Sequence, residues 1–254
     1  MEYDQRLARG LGVPGGPSVV RAYGWRPPAI SLGWHQSLDE VNLQKCTDAG
    51  IDVVRRPTGG RAILHSDEVT YCVVMVAGRQ SVLTTYQKIS EALICGLRSL
   101  GVDAMLEKSQ PHFPSLYKSP SSAACFASAA RYEIHVGGRK LVGSAQRRFV
   151  GADRQEVVLQ HGSILLGPDH LRIVDFLNLA GGETREGMRD ELQKLTTDLS
   201  TALGRQVEFD EVAEALRRAF EVSWGIKFQV ADTPSKIGKT AADSTHRIET
   251  SVVE

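Results

Sequence analysis

An α+β fold, a mixed and largely antiparallel β-sheet with packed helices, is what this sequence predicts on three observations. Short runs of strand-like alternation recur through the first 180 residues, Ser81 to Leu100 repeats apolar residues at three-to-four spacing, and helical periodicity takes over after Glu183. At 254 residues with 42% hydrophobic and 24% charged content, the chain is long enough to build a sizeable core. Thirty basic against thirty acidic side chains leave no global charge that argues for nucleic acid or a membrane surface. Any charge complementarity is therefore local.

The elements follow in order. "SVVRAYGW" and "AISLGW" alternate as strands, and Arg26-Pro27-Pro28 breaks between them. A helix is predicted from Ser37, whose hydroxyl can cap the amides of "LDEVNLQKCTDAG", and Gly50 ends it. A short strand reaches Val54, the bend "RRPTGG" interrupts it, and "AILH" and "VTYCVVMV" continue as strands, which reads as a hairpin around the bend. In the Ser81 helix, Leu83, Tyr86, Ile89, Leu93, Leu97 and Leu100 share one face and Gly101 supplies the stop.

Lys108 to Ala124, with three prolines and five serines, is a loop. "RYEIHV", a Gly137-Gly138 turn, "KLVGSAQRR" and "VVLQHGSILL" then make a three-strand meander. Glu183 to Leu203 and Asp210 to Trp224 have the period of helices, and beyond Phe228 the apolar content drops. The chain so divides into a domain over 1–180, a small helical annex over 181–230 and a flexible tail over 231–254. It carries no internal repeat.

No stretch has the roughly 18 to 20 apolar residues of a membrane span, and "MEYDQRLARGLG" lacks the apolar core of a secretory signal. Cys46, Cys72, Cys95 and Cys125 have neither CxxC spacing nor histidines at ligand intervals, which argues against structural zinc and fits a reducing, cytoplasmic setting. Cys46 and Cys95 fall in helices and Cys72 in an apolar strand, where a thiol fills space. Cys125 differs, because it closes a Pro/Ser-rich loop among small residues that leave room for a substrate.

Lys140 opens a strand, where a lysine is ordinarily solvated surface, yet Gly143-Ser144-Ala145 follow in mid-strand. Glycine there weakens a sheet and lets a ligand approach the backbone, beside which a cation can stabilise an oxyanion. Gly59 and Gly60 offer either a tight turn or main-chain contact, and the flanking Arg55 and Arg56 favour contact. His65 and His161, each at or within a strand, are structural or acid-base residues that sequence alone leaves open.

With these positions on the page, the chain resembles the lipoate-protein ligase and octanoyltransferase superfamily, which shares its catalytic fold with biotin protein ligases. The likeness rests on "RRPTGGRAILH" (Arg55 to His65), "GRKLVGSAQRR" (Gly138 to Arg148) and "LQHGSILL" (Leu159 to Leu166), supported by "YGWRPPAISLGWHQ". Within it the chain is most similar to the cysteine-dependent octanoyltransferases of the Bacillus type, with Cys125-Phe126 at the nucleophile's "CF" step. The resemblance implies that Cys125 takes octanoate from octanoyl-acyl carrier protein and hands it to a lysine of a lipoyl domain such as the glycine cleavage H protein. It implies contact of Lys140 with the acyl carbonyl, a substrate site drawn from Arg56, Thr58, Gly59, Gly60, Arg61, His65, Gly143, Ser144, Ala145 and His161, no metal and no cofactor. A monomer is expected.

Three other readings stay open. An ATP-dependent lipoate ligase forming an adenylate resembles the chain too, but such ligases carry a third glycine where Arg61 stands and an asparagine where Thr70-Tyr71 falls. A lipoyl-domain amidotransferase also uses a cysteine here, without the Leu64-His65 ending. A non-catalytic acyl or lipoyl-domain binder would do without Cys125 or Lys140. The family's extra strand ahead of "MEYDQRL" leads to the expectation that the chain begins late, and the tail after 231 matches nothing in the pattern.

Overall fold

The computed structural model describes residues 1–11, 18–107, 133–151, 154–179, 184–230 and 247–253. The predicted loop from Lys108 to Ala124, and Cys125 with it, lie outside the described residues. In chain order, helix α1 (Glu2–Gly10) precedes strands β1 (Val19–Tyr23) and β2 (Ala29–Leu32), α2 (Leu43–Asp48), β3 (Asp52–Arg55), β4 (Ile63–His65), β5 (Glu68–Val76), α3 (Val82–Ser99) and β6 (Ala104–Leu106). After residue 133 come β7 (Ile134–Val136), β8 (Arg139–Val150), β9 (Glu156–Leu165), α4 (Ile173–Phe176), α5 (Arg185–Leu195), α6 (Leu199–Leu203), α7 (Phe209–Trp224), β10 (Lys227–Val230) and β11 (Arg247–Val253). The α+β architecture is therefore present.

The larger sheet runs β10-β11-β1-β5-β9-β8-β7-β6, antiparallel at every pairing, and the smaller runs β3-β2-β4. The meander β7-β8-β9 turns at Gly137 and Gly138, whose φ of 55° and 76° suit glycine. The glycine bend, by contrast, does not close a hairpin. β2 lies between its two strands, parallel to β3 and antiparallel to β4. A parallel pair needs a crossover, and α2 supplies it between β2 and β3. β2 is buried along its whole length while β3 is the half-exposed edge, so the more apolar strand took the centre.

The helix predicted from Ser37 is split. Ser37 caps a single 3-10 turn (Leu38–Glu40) in a reciprocal capping box with Glu40, the chain extends at Val41, and Asn42 caps α2 afresh. Gly50 ends that region at φ 65°. α3 starts and stops where the pattern places it, Ser81 capping the Thr84 amide and Gly101 at φ 94°. Leu83 nevertheless stays exposed, and so does Cys95, which does not fill core space.

One core joins α3 and α7 to the larger sheet through Ile89, Leu93, Leu97, Leu216 and Phe220. Gly96 makes that packing close, since a Cβ there would lie 3.1 Å from Leu216 Cδ2 and 3.3 Å from Ala219 Cβ. A second core places Met188 and Leu192 of α5 against Ile30, Leu32 and Leu64 of the smaller sheet. The helices read as an annex thus share both cores with the sheets. Within the stretch read as a flexible tail, Arg247–Val253 forms β11 between β1 and β10; the rest of it up to residue 246 lies outside the described residues.

Candidate active site

Strand register builds one wall. Gly143, Ser163 and Thr70 stand in one row across β8, β9 and β5, and Ala145, His161 and Cys72 stand in the next of the same face. Against that face, the smaller sheet and the glycine bend enclose a cavity of about 160 Å³ lined by Gly143, Ala145, His161, Ser163 and Thr70 on one side and Arg56, Gly59, Gly60, Ile63 and His65 on the other. Gly162 lets the wall close, because a Cβ there would sit 2.3 Å from Gly143 O and 2.7 Å from Tyr71 Cε1. Ser144 also reaches the cavity and is held by the Tyr71 hydroxyl, which donates to its Oγ at 2.6 Å. Burial pushes the Tyr71 phenol up to about 12, so it stays a neutral donor.

The opposite wall is a loop organised by arginine. Buried Arg56 donates to the carbonyls of Ser31 (2.9 Å), Gly59 (3.0 Å) and Arg61 (2.6 Å) and to Ser31 Oγ (3.1 Å). Arg55 spreads one nitrogen over the carbonyls of Gly33, Trp34 and Gln36 at 2.7 to 3.1 Å. Their shared task is to fix carbonyls of two crossing loops. The crossing is tight, for a Cβ on Gly33 would lie 1.9 Å from Gly60 O, and Gly60 itself turns at φ 95°.

Both histidines are pinned. His65 bonds Ser31 Oγ through Nε2 (2.7 Å) and Glu68 Oε1 through Nδ1 (2.8 Å), and its ring stacks on Trp25 at 4.3 Å. With both nitrogens taken, it serves as a fixed wall. His161 meets Thr58 Oγ1 through Nε2 at 2.6 Å, and its buried Nδ1 has no partner among the described residues. Burial lowers its pKa to about 3, opposed by nearby Asp4 and reinforced by Arg56, so the ring is neutral. If Thr58 donates to Nε2, the one stranded group is an Nδ1–H; the reverse direction strands both the Thr58 proton and a ring lone pair.

Lys140 is not solvated surface. It is 2% exposed, and its ammonium lies 2.5 Å from Glu133 Oε1, itself buried and part of the cavity wall. A β-bulge between Ile134 and His135 sets this geometry by shifting the β7–β8 register. The Lys140 carbonyl accepts from the Thr197 amide at 2.9 Å, which ties β8 to the start of α6. Cys72 is unsuited to nucleophilic work, since burial first and then Asp4 push its thiol well above the ordinary range.

Of the residues singled out from sequence, Arg56, Gly59, Gly60, His65, Gly143, Ser144, Ala145 and His161 line the cavity. Thr58 stands behind His161. Arg61 does not reach the wall: past Gly60 the chain turns into β4, and the side chain lies 3.7 Å from Glu40 on the outer side. Lys140 is reached through Glu133. The residues that sequence reading passed over are Glu133, Tyr71, Glu68, Ser163, Ile63 and Thr70. A carboxylate and a lysine flanking a Gly-Gly turn was the available signal for Glu133, and His65 with Glu68 three residues on was the signal for that pair. Among the described residues no cluster of three His, Cys, Asp or Glu side chains is placed to hold a metal ion, and no helix is long and apolar enough to cross a membrane.

A glycine loop and a small-residue strand pair thus close on an apolar-walled cavity, with a buried lysine behind it. The chain belongs to the lipoyl protein ligase A/B catalytic domain family, whose model matches residues 1–221. It is 39% identical over 230 residues to the octanoyltransferase LipM of Kyrpidia tusciae, covering 89% of this chain and 82% of that protein. Identity to the octanoyltransferase LipM of Bacillus subtilis is 34% over 239 residues, 91% of this chain and 82% of that one. Among solved structures, the bipartite lipoate protein ligase of Thermoplasma acidophilum superposes with a TM-score of 0.72 at 22% identity, over 92% of this chain and 81% of that one. A lipoate-protein ligase A bound with ATP gives 0.69 at 22%, over 92% and 83%. At such identity these two share the fold.

Proposed function

We propose that this chain is an octanoyltransferase of lipoate biosynthesis that carries octanoyl on Cys125 between a carrier-protein thioester and a lysine of a lipoyl domain, such as that of the glycine cleavage H protein. The observation that carries the reading is the likeness to octanoyltransferases over most of the chain, in a protein whose cavity has the small-residue walls an acyl chain needs. The Cys125 thiolate attacks the donor carbonyl, the tetrahedral intermediate collapses, and the carrier's thiolate leaves and takes a proton. The neutral acceptor amine then attacks the Cys125 thioester, and as the amide forms one N–H proton passes to the expelled Cys125 thiolate. The acyl group stays activated throughout, so the chemistry asks for no nucleotide. Lys140, paired with Glu133 of the cavity wall, supplies positive charge where the oxyanion develops. Cys125 lies eight residues before Glu133 in sequence, a chain span of at most roughly 28 Å. We place the enzyme in the cytoplasm as a monomer.

The fold is shared with an ATP-bound ligase, which makes adenylate chemistry the reading to test against. The assay compares octanoyl-acyl carrier protein without ATP and free lipoate with ATP on one H-protein acceptor, and mass spectrometry seeks the acyl-enzyme. Transfer without ATP and an octanoyl adduct on Cys125, lost in Cys125→Ser, is the expected outcome. Strict ATP dependence, or an adduct on another residue, defeats the proposal.

A further inference from the structure

We propose that Glu133 is a positioning residue of the transfer, holding the Lys140 ammonium in place for the acyl carbonyl. This rests on the transferase reading above and adds to it a residue that the sequence did not single out. Both partners are nearly out of solvent, 3% exposed at each side chain, and the contact is 2.5 Å. A lysine so buried has lost its hydration, and a carboxylate in contact offsets much of that loss. Of the two, Glu133 lines the cavity, and the Lys140 ammonium lies against its carboxylate.

The scaffold around the pair explains why the carboxylate is placed well. The Glu133 carbonyl accepts from the Glu107 amide at 2.9 Å, anchoring the residue beside the β6 end, and the bulge after Ile134 turns β8 so that Lys140 pairs across the strand with His135. Lys140 is held on its own side by the Thr197 amide on its carbonyl. Two separate main-chain anchors thus fix the two ends of one ion pair. An ammonium on four rotatable methylenes would otherwise sample several positions, and an oxyanion donor misplaced by an ångström loses most of its effect.

The test is a double-mutant cycle on the full chain with octanoyl-acyl carrier protein as donor and a lipoyl domain as acceptor. Glu133→Gln should lower kcat about a hundredfold with KM within twofold, as for loss of one oxyanion-stabilising group. Lys140→Ala should lower kcat at least as far, and the double variant should fall no further than Lys140→Ala alone, because Glu133 acts through the lysine. Glu133→Asp, which keeps the charge on an arm one methylene shorter, should recover about tenfold over Glu133→Gln, and it carries the test if the glutamine variant does not fold. Multiplicative losses in the double variant, or wild-type kcat in Glu133→Gln beside an inactive Lys140→Ala, overturn the proposal and leave the transferase reading standing. Full activity in Lys140→Ala removes the lysine's role and the proposal with it; transfer that depends on ATP removes the transferase reading instead.

Discussion

The two walls of the cavity are held by different physics. On the sheet side, β5, β9 and β8 align Thr70, Ser163 and Gly143 by register, so each side chain's place follows from strand pairing. On the loop side there is no ladder between β3 and β4, and one buried guanidinium replaces it by gathering carbonyls from Ser31, Gly59 and Arg61. A register spreads its constraint over many backbone bonds; a hub concentrates it in one residue. The loop wall should therefore be the more fragile of the two.

The largest expected effect is at that hub. Arg56→Ala leaves buried carbonyls without donors and should cost about 3 to 5 kcal/mol by denaturant titration, with transfer activity lost in parallel. Its neighbour Arg55 makes a similar number of carbonyl contacts from an exposed position, so Arg55→Ala should cost only about 1 kcal/mol. Equal losses in the two variants would contradict the hub. The sheet wall answers to volume instead of charge. Gly162→Ala drives a Cβ to 2.3 Å from the Gly143 carbonyl, backbone that the β8–β9 ladder holds, and should cost about 1 to 3 kcal/mol while shrinking the cavity. A thermal midpoint within a degree of wild type would show that the ladder yields.

The same contrast decides what was legible in the sequence. Gly59, Gly60, Gly143 and the helix Ser81–Leu100 announce themselves locally, because a glycine pair between strands or an apolar stripe needs no distant partner to be recognised. Glu133, Tyr71 and Glu68 do not. Tyr71 matters through Ser144, 73 residues away, and reads on its own as one more apolar strand residue. The β3–β4 hairpin was misread for the same reason, since alternation identifies a strand but not its neighbour. The burial of Lys140 was not legible, because it is created by a partner seven residues back. Arg61 was legible as a departure from a glycine pattern, yet its direction depends on the turn at Gly60. β11 sits in a stretch too poor in apolar residues to suggest a strand.

His161 gives the smallest effect and separates the walls most finely, because it joins them: it projects from β9 and binds Thr58 of the loop. In the folded state it stays neutral down to about pH 3, whereas in the unfolded chain it takes a proton near its ordinary value of 6.5. Between those values the unfolded state holds the additional proton, so this residue's contribution to stability is fully present above about pH 6.5 and drains away as pH falls toward 3. The slope for one proton is at most about 1.4 kcal/mol per pH unit, so the loss from pH 7.5 to 6 should be about 1 kcal/mol. His161→Gln keeps a polar group near Thr58 and does not titrate. Unfolding curves at the two pH values should show that loss in the wild type and about 1 kcal/mol less of it in the variant. An unchanged difference would mean that the imidazole ionises in place, and that the loop wall opens enough near Thr58 to let water reach the ring.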